Sequence, residues 1–215
     1  MGAFDDCCDD DCCRCGRCSD FWWCLLCVAI IVAIALIVVL VVAFGFVRQA
    51  EITVDDASLT RLALATAPTT AFAYNLTVTL TVRNRNWAMA MTNTKPLDAA
   101  YKFDDQPFDR VRLADEGDKH AAGKTRVYRL TSGADSAYVA LGNAGVAEFR
   151  KQNATGTFEV EVAVTGEVKY TARVTKCKIE ATCPLKLQLA PPGQAPAALV
   201  FQKVKCKLAK AEKNC

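Results

Sequence analysis

The chain has 215 residues, with 26 Lys and Arg against 23 Asp and Glu, one histidine and twelve cysteines, for a net charge of +3. The length suits one ordinary domain and some additional sequence. The absence of a groove-reading element or an aromatic–basic pattern excludes a nucleic-acid binder.

Residues 1–20 form a Cys- and Asp-rich tail. Six aspartates (Asp5, Asp6, Asp9, Asp10, Asp11 and Asp20) face only Arg14 and Arg17, so the tail carries −4. Cys7, Cys8, Cys12, Cys13, Cys15 and Cys18 lie in it, and Cys24 and Cys27 follow shortly after. Thiols beside an apolar run are candidates for S-acylation, each chain adding roughly 0.8 kcal/mol per buried methylene. Zinc competes, because Cys12-x2-Cys15 and Cys15-x2-Cys18 have ligand-like spacing. A closed tetrahedral site needs two separated pairs, however, and these share one short loop, so acylation is favoured and no metal is assigned. The Asp5–Asp11 run lacks the spacing and glycine of a calcium loop and reads as a solvated acidic patch. Met1-Gly2 fails as a myristoylation signal because Asp6 stands where Ser or Thr is needed.

Phe21 to Val47 are 27 consecutive uncharged residues, reading LLCVAIIVAIALIVVLVV from Leu25 to Val42. As a helix such a run reaches ~40 Å, against roughly 30 Å of bilayer hydrocarbon. No polar face interrupts it, as a core helix in water would require. We therefore expect a single transmembrane helix over 21–47. The acidic N-terminal flank and the length of the run argue against a cleaved signal peptide and for a retained signal anchor.

The 168 residues after Val47 carry the remaining +7. Such a domain favours anionic surfaces such as lipid headgroups, acidic polysaccharide or acidic proteins. The sequons Asn75-Leu76-Thr77 and Asn153-Ala154-Thr155 both fall here and none in the tail, which with the thiol-rich tail favours residues 48–215 outside the cytosol and the tail within it. If exported, Cys177, Cys183, Cys206 and Cys215 are disulfide candidates. Four cysteines allow three complete pairings, and Cys183–Cys206 is favoured because the two flank the Pro191–Pro196 loop and lie near opposed strand regions.

The first clear strand is AYNLTVTLTVRN over 73–84. Leu76, Val78, Leu80 and Val82 alternate with Asn75, Thr77, Thr79 and Thr81, the period of a half-buried strand. The second runs Thr157–Val164, with Phe158, Val160, Val162 and Val164 inward, and is expected to turn at Thr165-Gly166-Glu167 into Val168–Val174. Weaker strands are expected at 51–54, 87–92, 99–103, 125–130, 184–189 and 199–208. Turns are expected at 66–70, 104–107, 115–123, 142–145 and 191–196, and no stretch keeps a helical period. Eight or nine short strands so spaced predict an all-β antiparallel sandwich of the immunoglobulin or fibronectin-III kind, preceded by the helix.

Leu80-Thr-Val-Arg-Asn-Arg-Asn-Trp87, with the anchor and the cysteine-rich tail, resembles the plant harpin-induced-like (NHL) proteins, which carry the group 2 late-embryogenesis-abundant domain. Asn84-Arg85-Asn86 occupies the place of that family's Asn-Pro-Asn motif, with Arg85 where proline is usual. Met89 and Met91 replace its tyrosine-rich pair. Leu97-Asp-Ala-Ala-Tyr-Lys-Phe103 and Gln106-Pro-Phe108 are similar to its next strand and following loop. The resemblance implies a seven- or eight-stranded sandwich at a plasma or endomembrane, with defence and stress responses as its setting.

On physical grounds the two asparagines should bond nearby backbone and close a turn, and Trp87 should be a core residue, with an exposed recognition aromatic as the alternative. His120, in a loop-like stretch, is expected to be solvated. With no phosphate-cradling glycine motif, nucleophile elbow or histidine pair, no catalytic residue and no cofactor are assigned. The expected role is a non-enzymatic, membrane-anchored module, at the plasma membrane with its C-terminal domain outside. Its expected partners are the bilayer and a protein or an acidic cell-wall polymer. The alternative is a tethered stress-protective or lipid-handling domain.

Overall fold

The structure, a computed structural model, describes residues 18–45, 47–171, 173–189 and 201–210. It divides into two units, Met1–Phe46 and Val47–Cys215.

The first unit holds α1 (Cys18–Gly45). Its stretch Trp22–Gly45 is 24 residues of mean hydropathy 3.7, long and apolar enough to cross a membrane. Every side chain from Trp22 to Val42 is exposed, an apolar surface on all sides that water does not favour and lipid does.

The second unit contains, in chain order, β1 (Glu51–Ala65), β2 (Ala71–Arg83), β3 (Met91–Phe103), β4 (Gln106–Ala114), β5 (Lys119–His120), β6 (Thr125–Tyr138), α2 (Asn143–Thr155), β7 (Thr157–Tyr170), β8 (Lys176–Gln188), β9 (Val204–Lys205) and β10 (Lys207–Leu208). One sheet has the order β6-β2-β1-β9. The other runs β10-β8-β7-β3-β4, with β5 paired to the start of β3. All the paired strands are antiparallel. This is the expected antiparallel β-sandwich preceded by an apolar helix. Among the described residues it has seven long strands and three of two residues each.

A single apolar cluster fills the space between the sheets. From one side come Ile52, Leu76, Leu80 and Val82, and from the other Tyr101, Val162, Val164 and Leu185. The alternation of β2 and of the first half of β7 holds: Leu76, Val78, Leu80 and Val82 are wholly enclosed, as are Phe158, Val162 and Val164. At one end Phe72 meets Phe108 at 5.3 Å, and Phe103 and Phe149 each at 5.6 Å between ring centroids. Rings at such separations attract beyond their buried area.

Several expectations are corrected. β1 runs far past Val54, because register shifts between Val54 and Asp56 and between Leu59 and Arg61 break the two-residue period. The strands expected at 87–92 and 99–103 are one strand, β3, which starts at Met91 and absorbs Pro96 at an irregularity in its pairing with β7. Gln106-Pro-Phe108 opens β4 rather than a loop. β4 is a sheet edge, and the charges of Asp109, Arg110 and Arg112 hid its alternation. No hairpin forms at Thr165–Glu167: β7 runs through Gly166, which pairs with Ile179 of β8. A Cβ there would lie 2.8 Å from Leu97 Cδ1, so this glycine permits a close approach rather than a turn.

Residues 143–155 form a helix where a turn at 142–145 was expected and no helical period was found. Its apolar contact with the core is mainly Phe149, too little for a periodic signal. It ends at Gly156, whose positive φ of 67° is the left-handed cap that glycine supplies. The strand expected at 199–208 is reduced to β9 and β10, and the loop expected at 191–196 lies outside the described residues.

β9 pairs with β1 in one sheet and β10 with β8 in the other, so the chain changes sheets at Cys206. Cys206 is bonded to Cys183 of β8, 23 residues earlier, as the sequence favoured. Closing a loop of that size stabilises by about 3 kcal/mol in the chain-entropy account. Cys177 is also disulfide-bonded, and Cys215 lies outside the described residues.

Candidate functional site

The motif residues sit where β2 leaves its sheet. Asn84 is fully enclosed and Asn86 nearly so, while Arg85 between them is exposed. Asn84 Nδ2 donates to the carbonyls of Met89 at 2.8 Å and Ala121 at 3.3 Å. Its Oδ1 accepts from the Asn86 backbone N–H at 3.0 Å and from Asn86 Nδ2 at 3.2 Å. Asn86 reaches outward: its Nδ2 donates to the Arg48 carbonyl at 2.7 Å, and its Oδ1 accepts the Arg48 N–H at 2.7 Å. Backbone bonds from Asn84 N to Lys124 O and from Gly123 N to Asn86 O complete the arrangement.

The two side chains thus satisfy main-chain groups of three segments that no sheet ladder reaches, of which Met89 is buried and Arg48 and Ala121 lie at the surface. They clasp the end of β2 to the loop before β6 and to the first residues of the domain. The expected turn is present, since the Asn84 side chain accepts from the N–H two residues on. The link to Arg48, 38 positions away, had no sequence signal.

Trp87 is not a core residue. It is 60% exposed, and Met89 and Met91 occupy the core in its place. His120 is not solvated but 3% exposed, because β5 pairs with β3 and turns it inward. Its Nε2 lies 3.1 Å from the Tyr128 hydroxyl. Burial, reinforced by the Arg126 charge, lowers the imidazole pKa below the ordinary 6.5.

The sign follows from that shift. The unfolded chain binds the proton more readily, so His120 contributes stability fully above pH 6.5 and loses it as pH falls below that value toward the lowered folded one. Replacing His120 with glutamine is expected to flatten stability between pH 7 and pH 5, read as the difference in Tm between the two pH values. An unchanged pH dependence would assign the effect elsewhere.

A second polar group joins the two sheets. Tyr74 of β2 and Ser132 of β6 both donate to Asp109 Oδ2 of β4, and the two hydroxyl oxygens lie 2.9 Å apart. Burial and the Asp109 carboxylate push the Tyr74 hydroxyl up to about 12. The sequence offered no signal for this trio, whose members are separated by 23 to 58 positions.

The glycosylation candidates Asn75 and Asn153 are both exposed, on β2 and on α2 respectively. Cys24 and Cys27 are exposed free thiols on α1, and Cys18 opens that helix. Cys7, Cys8, Cys12, Cys13 and Cys15 lie outside the described residues, as does the Asp5–Asp11 run. Among the described residues no group of three His, Cys, Asp or Glu side chains is placed to hold a metal ion.

Two of the clefts on the sandwich surface are rich in charged side chains. The first, of about 440 Å³, opens between the β3–β4 turn and α2 and includes Asp104, Asp105, Glu148, Glu159 and Glu161. Lysines neutralise several of these, Lys186 meeting Glu159 at 2.8 Å and Lys102 meeting Glu161 at 3.4 Å. The second, of about 330 Å³, lies beside the clasp and is basic, with Arg48, Arg85 and Lys205 around Glu51. Lys205 bonds Glu51 at 2.6 Å and, with Arg85 and Arg83, holds that carboxyl below its ordinary range.

No family model matches the chain, and no curated protein matches it. A solved structure described as a protein from Archaeoglobus fulgidus shares 9% identity, covering 64% of this chain and 99% of its own, with a TM-score of 0.30. A likeness of that size carries no argument about activity. The class defined by the fold is therefore an antiparallel β-sandwich with an N-terminal apolar helix.

Proposed function

We propose that this is a single-pass membrane protein of the harpin-induced-like kind, whose non-enzymatic group 2 late-embryogenesis-abundant-like sandwich meets a protein or an acidic wall polymer outside the cytosol. The observation that carries the reading is α1: 24 apolar residues of mean hydropathy 3.7 directly before a separate, disulfide-bearing sandwich. The Cys183–Cys206 bond suits an oxidising compartment, and both sequon asparagines are open to a glycan. The domain's +7 charge favours an acidic partner. At the opposite end, Cys24 and Cys27 are accessible to acylation. Lipid handling in the sandwich interior gains no support, because Phe72, Tyr101, Phe103 and Phe158 fill the space between the sheets.

Protease protection of intact vesicles combined with peptide-N-glycosidase treatment tests the topology. A protected C-terminal domain that gains mobility on deglycosylation is expected, with the shift lost in the Asn75→Gln, Asn153→Gln double variant. A protease-accessible, unshifted domain on the cytosolic face would overturn the extracellular reading.

A further inference from the structure

Around the motif, enclosed and exposed side chains alternate. Asn84 and Asn86 are buried, while Arg83, Arg85 and Trp87 are open to solvent. An indole left 60% exposed forgoes the largest apolar area any side chain can bury, in a domain whose other aromatic residues are mostly enclosed. The asparagine clasp fixes where that indole stands. Asn86, its neighbour in the chain, bonds both main-chain groups of Arg48 at 2.7 Å. Arg48 follows Gly45, the last residue of α1, by three positions. Three residues of chain extend at most ~11 Å.

The charge of the adjacent cleft points to a ligand. Its lining includes Arg48, Arg85 and Lys205 with one acid, Glu51. Lys205 is consumed by Glu51 at 2.6 Å. Among the described residues neither Arg48 nor Arg85 has a carboxylate within ion-pair distance; Arg85 acts on Glu51 only from farther off, so both guanidinium groups keep their hydrogen-bond donors for an outside anion. Guanidinium matches phosphate oxygens in paired hydrogen bonds. Indole, apolar in body with one N–H donor, favours the layer between hydrocarbon and water.

We propose that this corner of the sandwich is a phospholipid-headgroup site. Arg48 and Arg85 take phosphate oxygens of the bilayer that holds α1, and Trp87 lies in the headgroup layer beside them. The phosphate is common to zwitterionic and anionic phospholipids; anionic ones strengthen the contact through the same arginines. The inference rests on the reading of α1 as a membrane anchor. The asparagines then act as positioning residues, holding the footing rigid without touching lipid.

The test uses the full chain with Trp22→Phe and Trp23→Phe, which leaves Trp87 as the only tryptophan of the three. The chain is reconstituted in phosphatidylcholine vesicles, with and without phosphatidylglycerol. Flotation after an alkaline wash reports α1. Headgroup-level nitroxide lipid and aqueous iodide then compete to quench Trp87. The expected result is a floating chain whose Trp87 is quenched by the nitroxide and shielded from iodide. Arg85→Glu, a change of two charges, should shift that contact about thirtyfold toward the lifted state on phosphatidylglycerol vesicles. Lys151→Glu, an equal charge change on α2, should leave it unmoved. Arg48→Glu adds a second variant, since Arg48 lends only its backbone to the Asn86 bonds. A floating chain with iodide-accessible Trp87 and no lipid quenching overturns the headgroup site while sparing the anchor, and leaves Trp87 as a protein-recognition residue. A chain that fails to float overturns both.

Discussion

Replacing Phe72 with alanine is expected to destabilise the sandwich by about 4 kcal/mol, the cost of removing a ring from a close-packed core. Phe72 is wholly enclosed on β2 and touches rings from three other elements: Phe103 of β3, Phe108 of β4 and Phe149 of α2. No single neighbour can collapse into the space, because each of these rings also packs on others, Phe149 on Phe158 at 5.5 Å and Phe108 on Tyr74 at 5.0 Å. For a domain of this size the loss corresponds to a fall in Tm of roughly 8–16 °C. Thermal unfolding of the detergent-solubilised chain, followed by its sheet signal, measures it. Hydrogen exchange should show α2 opening first, since Phe149 is the one large side chain that seats it. A change under about 1 kcal/mol would mean that the core repacks, which native interiors seldom permit.

Strands with one buried and one wet face were legible in the sequence. β2 and the first half of β7 announce themselves because their polar positions are Thr, Asn and Glu and their inner ones Leu, Val and Phe. Legibility failed where the backbone leaves the simple period. Two bulges hide most of β1, Pro96 splits β3, and the edge charges of β4 mask it altogether. Gly166 was misleading for a different reason. In sequence a glycine between β-branched runs signals a turn; here it makes room for Leu97.

At the site, the local half was readable and the long-range half was not. That Asn84 and Asn86 would bond nearby backbone follows from short amide side chains at a strand end. That Asn86 would grip Arg48 depends on how β1 and β2 are paired, which brings residues 51 and 83 side by side. The same pairing logic explains His120: a two-residue strand on the flank of β3 buries it, and two residues carry no periodic signal. Trp87 was assigned to the core by residue type alone, and the clasp turns it outward.

Asn84→Ala is expected to cost about 4 kcal/mol, unusually high for a polar side chain. The 2.8 Å bond to the Met89 carbonyl and the 3.0 Å bond from the Asn86 N–H each contribute about 1 kcal/mol directly. Removing only the Asn84 side of each instead leaves a buried carbonyl and a buried N–H unpaired, at about 1–3 kcal/mol each in place of that net value, because no water reaches a residue with no exposed surface. Asn86→Ala should cost less on its own, since Arg48 is exposed and solvent can replace the lost partners. The two residues share Asn84 Oδ1, so the double variant should be milder than the sum of the singles, by roughly 0.5–3 kcal/mol. Denaturant unfolding of the four chains gives this coupling directly. Trypsin supplies an independent readout, because Arg85 is already exposed and the clasp, with the backbone bonds to Lys124 and Gly123, holds its main chain closed to a protease. Faster cleavage at Arg85 in both single variants, with strict additivity absent, would identify the asparagines as one unit. Additive losses with unchanged cleavage would reduce them to two unrelated hydrogen-bonded residues, and the support for a fixed Trp87 would go with them.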